Sequence, residues 1–259
     1  MAKRGISLAL SSGGARGLAH VGVLKVLDRH RIPVLGISGC SIGGLVGALY
    51  CTGFSGEMID ELARAIRGSH WLDLSVSRMG LVRGRKLEAL IQLLTRGRRF
   101  EDCVPPLWVV AVDIEHGEQV IMGSGPLSDA IRATVSIPGI FAPVVRDGRV
   151  LVDGGVLNRL PVDVARQVPD SVVLAVDVGV NLASSVGSVV DILFQTFDIM
   201  AREIRYYRPL DADLVVKPRM PCERDAQFTE IQEYIQAGEE ACEREIPRIQ
   251  GLLNGEGGF

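Results

Sequence analysis

The chain has 259 residues, 47% of them apolar, and its 28 basic and 31 acidic side chains leave a net charge of −3. That apolar content supplies a sizeable core and excludes global disorder. The near-balance of charge excludes a dedicated nucleic-acid binder, which carries a basic excess or stripe. The five cysteines (Cys40, Cys51, Cys103, Cys222, Cys242) are odd in number and contain no C-x-x-C pair, so a reduced, cytosolic setting fits better than a disulfide framework.

Taken in order, Ile6–Leu10 reads as a buried first strand. Lys3-Arg4 before it gives the look of a secretory signal, but the apolar run stops at Ser11-Ser12-Gly13-Gly14, too soon for one. Ser11 to Gly17 is a small-residue loop, and Leu18, Val21, Leu24 and Leu27 then predict a helix to about His30. Ile32 to Gly56 carries no charge and mimics a membrane span. Its turn signals at Ser38-Gly39 and Gly53 divide it instead into a strand, a turn and a helix over 44–50. Met58, Ile59, Leu62, Ala65 and Ile66 mark an amphipathic helix with Ser55 as N-cap. Gly68 to Gly84, with Trp71 and Leu72, lacks periodicity and is expected to be a surface loop packed by its own apolar residues; the functional alternative is a lid or lipid-contact surface. Leu87 to Leu94 is a helix, followed by the basic run Arg96–Arg99 as a solvated end.

The second half continues the alternation. Leu107 to Val112 is a strand ending at Asp113, with Glu118 to Met122 as hairpin partner. Leu127 to Val135 is helical. Ala142–Val145 and Arg149–Val152 flank Asp147-Gly148, a two-residue hairpin signal, and Asp153-Gly154-Gly155 follows at once. Val172–Val176 and Leu214–Val216 read as strands. Ser185–Tyr207 and Phe228–Leu253 read as helices, the latter with a break at Pro247. No repeat, low-complexity tract or linker interrupts the pattern. The expected fold is therefore a single α/β domain over 1–259, a mainly parallel sheet covered by helices on both faces, with its motifs in 6–165 and a helical part over 185–259.

Gly39-Cys40-Ser41-Ile42-Gly43 is the stretch richest in chemistry. It spells G-x-S-x-G between a predicted strand and a predicted helix, where a serine is pushed out of the sheet on a strained turn and the helix N-terminus faces the reaction site. Ser41 is thus a candidate nucleophile for acyl transfer. Ser12 to Gly17 suggests an oxyanion cradle, because small residues let backbone N–H groups turn toward an anion. A dinucleotide loop would need G-x-G-x-x-G and a phosphate loop a lysine, and Gly17 is followed by Leu18. The histidines are His20, His30, His70 and His116; none lies in the second half, where a Ser, acid, His order would place one. The base is then a carboxylate. Asp153, at a strand end before two glycines, is the best candidate, and Asp113 and Asp177 are the others.

Together these segments resemble the patatin-like phospholipase family, in particular its small bacterial members. The resemblance rests on Ser12–Gly17, Gly39–Gly43 and Asp153–Gly155, and on the run Ala130–Thr134 through Ile137–Pro143, and it covers about Ile6 to Ala165 in order. It implies a Ser41–Asp153 dyad without histidine, backbone donors at Gly13, Gly14 and Ala15, and Arg16 supporting that loop or the developing charge. It also implies lipid acyl esters as substrates, with no metal or cofactor. The sequence does not tell how the chain meets a bilayer; peripheral contact with the inner face of a membrane is an expectation carried with the lipid substrate. The sequence departs from the family at Ser12, where a glycine is usual, and at Cys40, where a threonine or similar residue is common. An alternative reading, supported by Ser12, is a regulatory or scaffold protein that keeps the fold and turns over weakly. The sequence sets no oligomeric state.

Overall fold

The first apolar run, Gly5–Leu10 (β1), is buried along its whole length, as a strand covered on both faces must be. The computed structural model describes residues 5–66, 74–77, 80–179, 186–207, 210–220 and 231–256. After β1 come Ala19–Arg29 (α1), Val34–Cys40 (β2), Ile42–Cys51 (α2), Gly56–Ala65 (α3), Leu74–Ser77 (β3), Gly80–Val82 (β4) and Arg85–Leu94 (α4). Then follow Leu107–Asp113 (β5), Glu118–Met122 (β6), Leu127–Thr134 (α5), Val144–Arg146 (β7), Arg149–Asp153 (β8), Val162–Ala165 (α6), Ser171–Val176 (β9), Val189–Tyr207 (α7), Leu214–Val216 (β10) and Ile231–Asn254 (α8).

The main sheet runs β10-β9-β1-β2-β5-β8-β7, with β6 also paired to β5. From β10 to β5 every pairing is parallel. Beyond that the expected parallel character ends: β6 and β8 both run antiparallel to β5, and β7 is antiparallel to β8. The turns explain this. Asp147 and Gly148 both have positive φ, 50° and 76°, as a two-residue hairpin turn requires.

Side chains alternate across the sheet with period two. Ile6, Leu8 and Leu10 of β1 and Val172, Leu174 and Val176 of β9 enter the main core, with residues of α1, α2, α5 and α8. Ala9, Val173 and Ala175 point the other way, onto Leu160, Val162 and Ala165 around α6. On the main-core side α1 and α8 touch backbone to backbone. A Cβ at Gly22 would lie 1.9 Å from the Ile235 carbonyl oxygen, and one at Gly238 would lie 2.0 Å from that of Ala19.

Several expectations need correction. The small-residue loop after β1 winds into a 3-10 turn over Gly14–Leu18 before α1 begins. Within the stretch expected to be an irregular loop, Leu74–Ser77 and Gly80–Val82 pair antiparallel; Trp71 and Leu72 lie outside the described residues. α8 runs through Pro247 without a break, because buried Ile246 and Ile249 hold the turn against the core and offset the one lost hydrogen bond. Arg98 is not merely a solvated end: its guanidinium donates to the Thr52 carbonyl at 2.6 Å, capping α2. Ser55 caps α3 as the sequence indicates, accepting from the Met58 N–H at 3.2 Å.

The helix contact gives a direct expectation. Gly22→Ala or Gly238→Ala forces α1 and α8 apart, at a cost of about 1–3 kcal/mol. Thermal unfolding should show a lower midpoint for each variant, and an unchanged midpoint would contradict the backbone contact.

Candidate active site

Strand β5 brings the two candidate residues together. Its residue Val110 pairs with Cys40, the last residue of β2. Its next residue, Ala111, pairs with Asp153, the last residue of β8. The two partner strands run in opposite senses, so their C-terminal ends meet head to head along one stretch of β5. Residues 112 positions apart in the chain thereby become neighbours in space, and the Ser41 side chain is among the groups that favour the ionised form of the Asp153 carboxyl.

Ser41 sits between β2 and α2 with φ 54° and ψ −123°. A non-glycine residue with positive φ costs of order 1–3 kcal/mol and persists only where its surroundings over-determine it. Here they do. A Cβ at Gly39 would lie 2.5 Å from the Gly44 nitrogen, and one at Gly43 would lie 2.4 Å from the Leu10 carbonyl oxygen. The two glycines of the motif therefore let β2, α2 and the end of β1 close on the turn. Thr134 completes the clamp: its hydroxyl accepts the Ser41 N–H at 2.9 Å and donates to the Val110 carbonyl at 2.5 Å.

Asp153 is buried. Its Oδ1 accepts the Gly155 N–H at 2.8 Å and faces the Cys40 Sγ at 3.8 Å. Burial pushes its carboxyl up to about 6, against the opposing pull of the Ser41 hydroxyl, the Gly155 amide and the Arg159 cation. The Cys40 thiol is itself raised well above its usual value, first by burial and then by Asp153, so it stays neutral. The other two acids at strand ends cap turns. Asp113 accepts the Glu115 N–H at 3.1 Å and bonds His116 Nδ1 at 2.9 Å, and Asp177 accepts the Gly179 N–H at 3.0 Å.

No base for Ser41 comes from His20, His30 or His116. His20 Nε2 is bound to the Ser11 carbonyl at 2.8 Å, and burial lowers the ring to about 4, so it is neutral and Nε2–H is the donor. His30 bonds Glu243. His70 lies outside the described residues.

The glycine loop packs against α2. Gly14 has φ 55°, a conformation that favours glycine, and the 3-10 turn beginning there leaves its leading amides unused by the helix. Ser12 has no positive φ, so its Cβ adds no backbone strain. A Cβ built on Gly155 would stand 3.1 Å from both the Ser12 Oγ and the Asp153 Oδ1, so the serine hydroxyl points to the Asp153 turn rather than into the loop. Arg16 is buried and turned back on its own loop: Nε donates to the Gly13 carbonyl at 3.3 Å, and a terminal nitrogen donates to Asp198 at 3.1 Å. Asp198, on α7, also accepts from Arg159 at 3.0 Å.

Sequence reasoning did not single out Thr134, Arg159 or Asp198. Thr134 entered only as part of the run Ala130–Thr134, and Asp198 left a trace as an acid on the inward side of α7 beside Phe197 and buried Ala201, where a charge without a partner is costly. The run Ala130–Pro143 acts as scaffold. Arg132 donates to the Ser136 hydroxyl at 2.5 Å and to the carbonyls of Arg83 and Ala142 at 2.8 Å each. The Ser136 carbonyl in turn accepts the Asp153 N–H at 2.9 Å.

A serine on a strained strand-to-helix turn, beside a buried carboxylate and a glycine loop, is an arrangement suited to acyl transfer. The profile of the patatin-like phospholipases matches residues 8–166, and the chain belongs to that family. The Uncharacterized NTE family protein Rv1063c of Mycobacterium tuberculosis is 38% identical over 168 residues, which are 60% of this chain and 44% of that protein. The human Patatin-like phospholipase domain-containing protein 6 is 34% identical over 182 residues, 67% of this chain and 13% of that protein. The chain thus spans less than half the length of these relatives. Among solved structures, VipD from Legionella pneumophila superposes with a TM-score of 0.65 at 11% identity, over 95% of this chain and 67% of that one. The type III effector protein ExoU gives 0.55 at 14% identity, over 97% and 54%. At such identities the likeness is one of fold.

The Thr134 clamp predicts that Thr134→Val, which leaves the Ser41 amide without its acceptor, lowers stability by about 1–3 kcal/mol, whereas Thr134→Ser stays near wild type. Urea unfolding of the two variants checks this, and equal midpoints would contradict it.

Proposed function

We propose that this chain is a serine hydrolase of phospholipid or related lipid esters, with Ser41 as nucleophile and Asp153 as its base. The observation that carries this reading is the juxtaposition, at the ends of β2 and β8 on one stretch of β5, of Ser41 on a strained turn and a carboxyl that burial has raised to about 6. Ser41 Oγ attacks the acyl carbonyl as its proton passes to Asp153. The oxyanion is met by backbone N–H groups of Gly13, Gly14, Ala15 and Arg16, donors of a kind whose individual loss costs about 2.7–4 kcal/mol elsewhere. The proton held on Asp153 goes to the departing alcohol. A water then repeats the sequence on the acyl-serine and releases the fatty acid. Since the Arg16 guanidinium is committed to Gly13 and Asp198, its part is to hold the loop rather than to meet the developing charge.

Lipid esters as substrates fit family membership. Peripheral contact with a bilayer is supported by α7, which exposes Val189, Ile192, Ile199, Met200, Tyr206 and Tyr207 and is bonded through Asp198 to the glycine loop. Among the described residues no helix is long and apolar enough to cross a membrane. The four described cysteines are free, which supports a reducing compartment.

Ser41→Ala is expected to lower ester hydrolysis by at least about a thousandfold in an assay over several acyl lengths and head groups. Activity equal to wild type would refute the nucleophile, and an inert wild type would favour the scaffold reading. Asp153 accepts a proton only when ionised, so kcat/KM should be flat above about pH 6 and fall about tenfold per unit below it. A rate that rises with acidity would contradict Asp153 as base. Flotation with phosphatidylcholine vesicles should weaken in the double variant Ile199→Ser, Met200→Ser; unchanged flotation would remove α7 from the lipid surface.

A further inference from the structure

We propose that Asp198 is a positioning residue, a single carboxylate on α7 that latches both sides of the glycine loop by pairing two arginines that are little exposed. The proposal rests on the hydrolase reading above. Asp198 takes Arg16 through a terminal nitrogen at 3.1 and 3.3 Å and Arg159 at 3.0 Å. The three side chains are only 14%, 11% and 16% exposed, so solvent screens them weakly.

Each arginine carries a different part of the loop. Arg16 Nε donates to the Gly13 carbonyl at 3.3 Å. Arg159 accepts the Ser12 N–H on its own carbonyl at 2.8 Å and donates from its side chain to the Gly179 carbonyl at 2.9 Å. Ser12 and Gly13 are therefore both held by residues that end on one carboxylate. Between them the two guanidinium ions repel: burial lowers Arg16 most, and Arg159 adds to that lowering against the opposing pull of Asp198. One acid between two cations offsets that repulsion and leaves one net positive charge beside the catalytic pair. Removing the acid frees both cations to part and to take Ser12 and Gly13 with them.

The same geometry gives the latch an electrostatic signature at Asp153. The charged or titratable groups facing that carboxylate are Arg159, which favours its ionised form, and the Cys40 thiol, which is neutral. Deleting the Asp198 charge strengthens the positive field there, and deleting the Arg159 charge weakens it. The two variants must move the acid limb of the rate profile in opposite directions, which a purely structural role would not do.

The test is a pH series of kcat and KM on a short-chain p-nitrophenyl ester for wild type, Ser41→Ala, Asp198→Asn, Asp198→Glu and Arg159→Gln. Asp198→Asn should lower kcat about 10- to 100-fold with KM within about threefold, and should shift the acid limb down by about half a pH unit. Asp198→Glu should recover most of kcat. Arg159→Gln should shift the limb up, and that arm decides the matter should Asp198→Asn not fold. Wild-type kcat in Asp198→Asn, or limbs that move the same way in both variants, would overturn the latch. An active Ser41→Ala enzyme would instead overturn the hydrolase reading, so the two failures are distinguishable.

Discussion

The register of β5 is the constraint on which the site depends. Val110 and Ala111 are consecutive, and they hold Cys40 on one partner strand and Asp153 on another. A shift of one residue in either pairing would turn every side chain of that strand to the opposite face. It would also separate the hydroxyl of Ser41 from the carboxylate. The hairpin turn at Asp147-Gly148 and the bond from the Asp153 N–H to Ser136 fix one side of this junction. The interlocked glycines at 39 and 43 fix the other.

Around that junction the structure places a charge gradient with few formal charges. Asp153 is buried and raised, Cys40 is buried and neutral, and the nearest cation, Arg159, is shared with Asp198. A carboxyl in such surroundings ionises close to neutral pH without a histidine, which removes the need for a third member to orient an imidazole. His20 lies near in sequence to the loop, yet burial keeps it neutral and its Nε2 is spent on Ser11. On the proposed reading Asp153 becomes a base through desolvation, where a Ser-His-Asp enzyme uses an imidazole oriented by a carboxylate.

Much of this was legible in the residues. The alternation of apolar runs and amphipathic periods gave the order of strands and helices, and Asp147-Gly148 and Ser55 announced their turn and cap. The strain at Ser41 followed from G-x-S-x-G. What could not be read was anything set by register or by contacts across the chain. The antiparallel pairing of β8 to β5 depends on where the hairpin lands, and no local pattern encodes that. The sequence favoured Asp153 for its two following glycines and left Asp113 and Asp177 as lesser candidates at strand ends; three-dimensional placement shows those two as turn caps. Arg159 and Asp198 stand 39 residues apart in segments of ordinary composition, and Thr134 lies 93 residues from the amide it accepts. Pro247 shows the opposite error, a local rule overridden by packing.

The central claim is that the hydroxyl of Ser41 is the atom that takes the acyl group. The most direct measurement is mass spectrometry of the intact protein and of its peptides after reaction with an alkyl fluorophosphonate. The account predicts a single adduct, carried by the peptide that contains Ser41. An adduct on a different serine, or an unmodified protein that still hydrolyses esters, would contradict it.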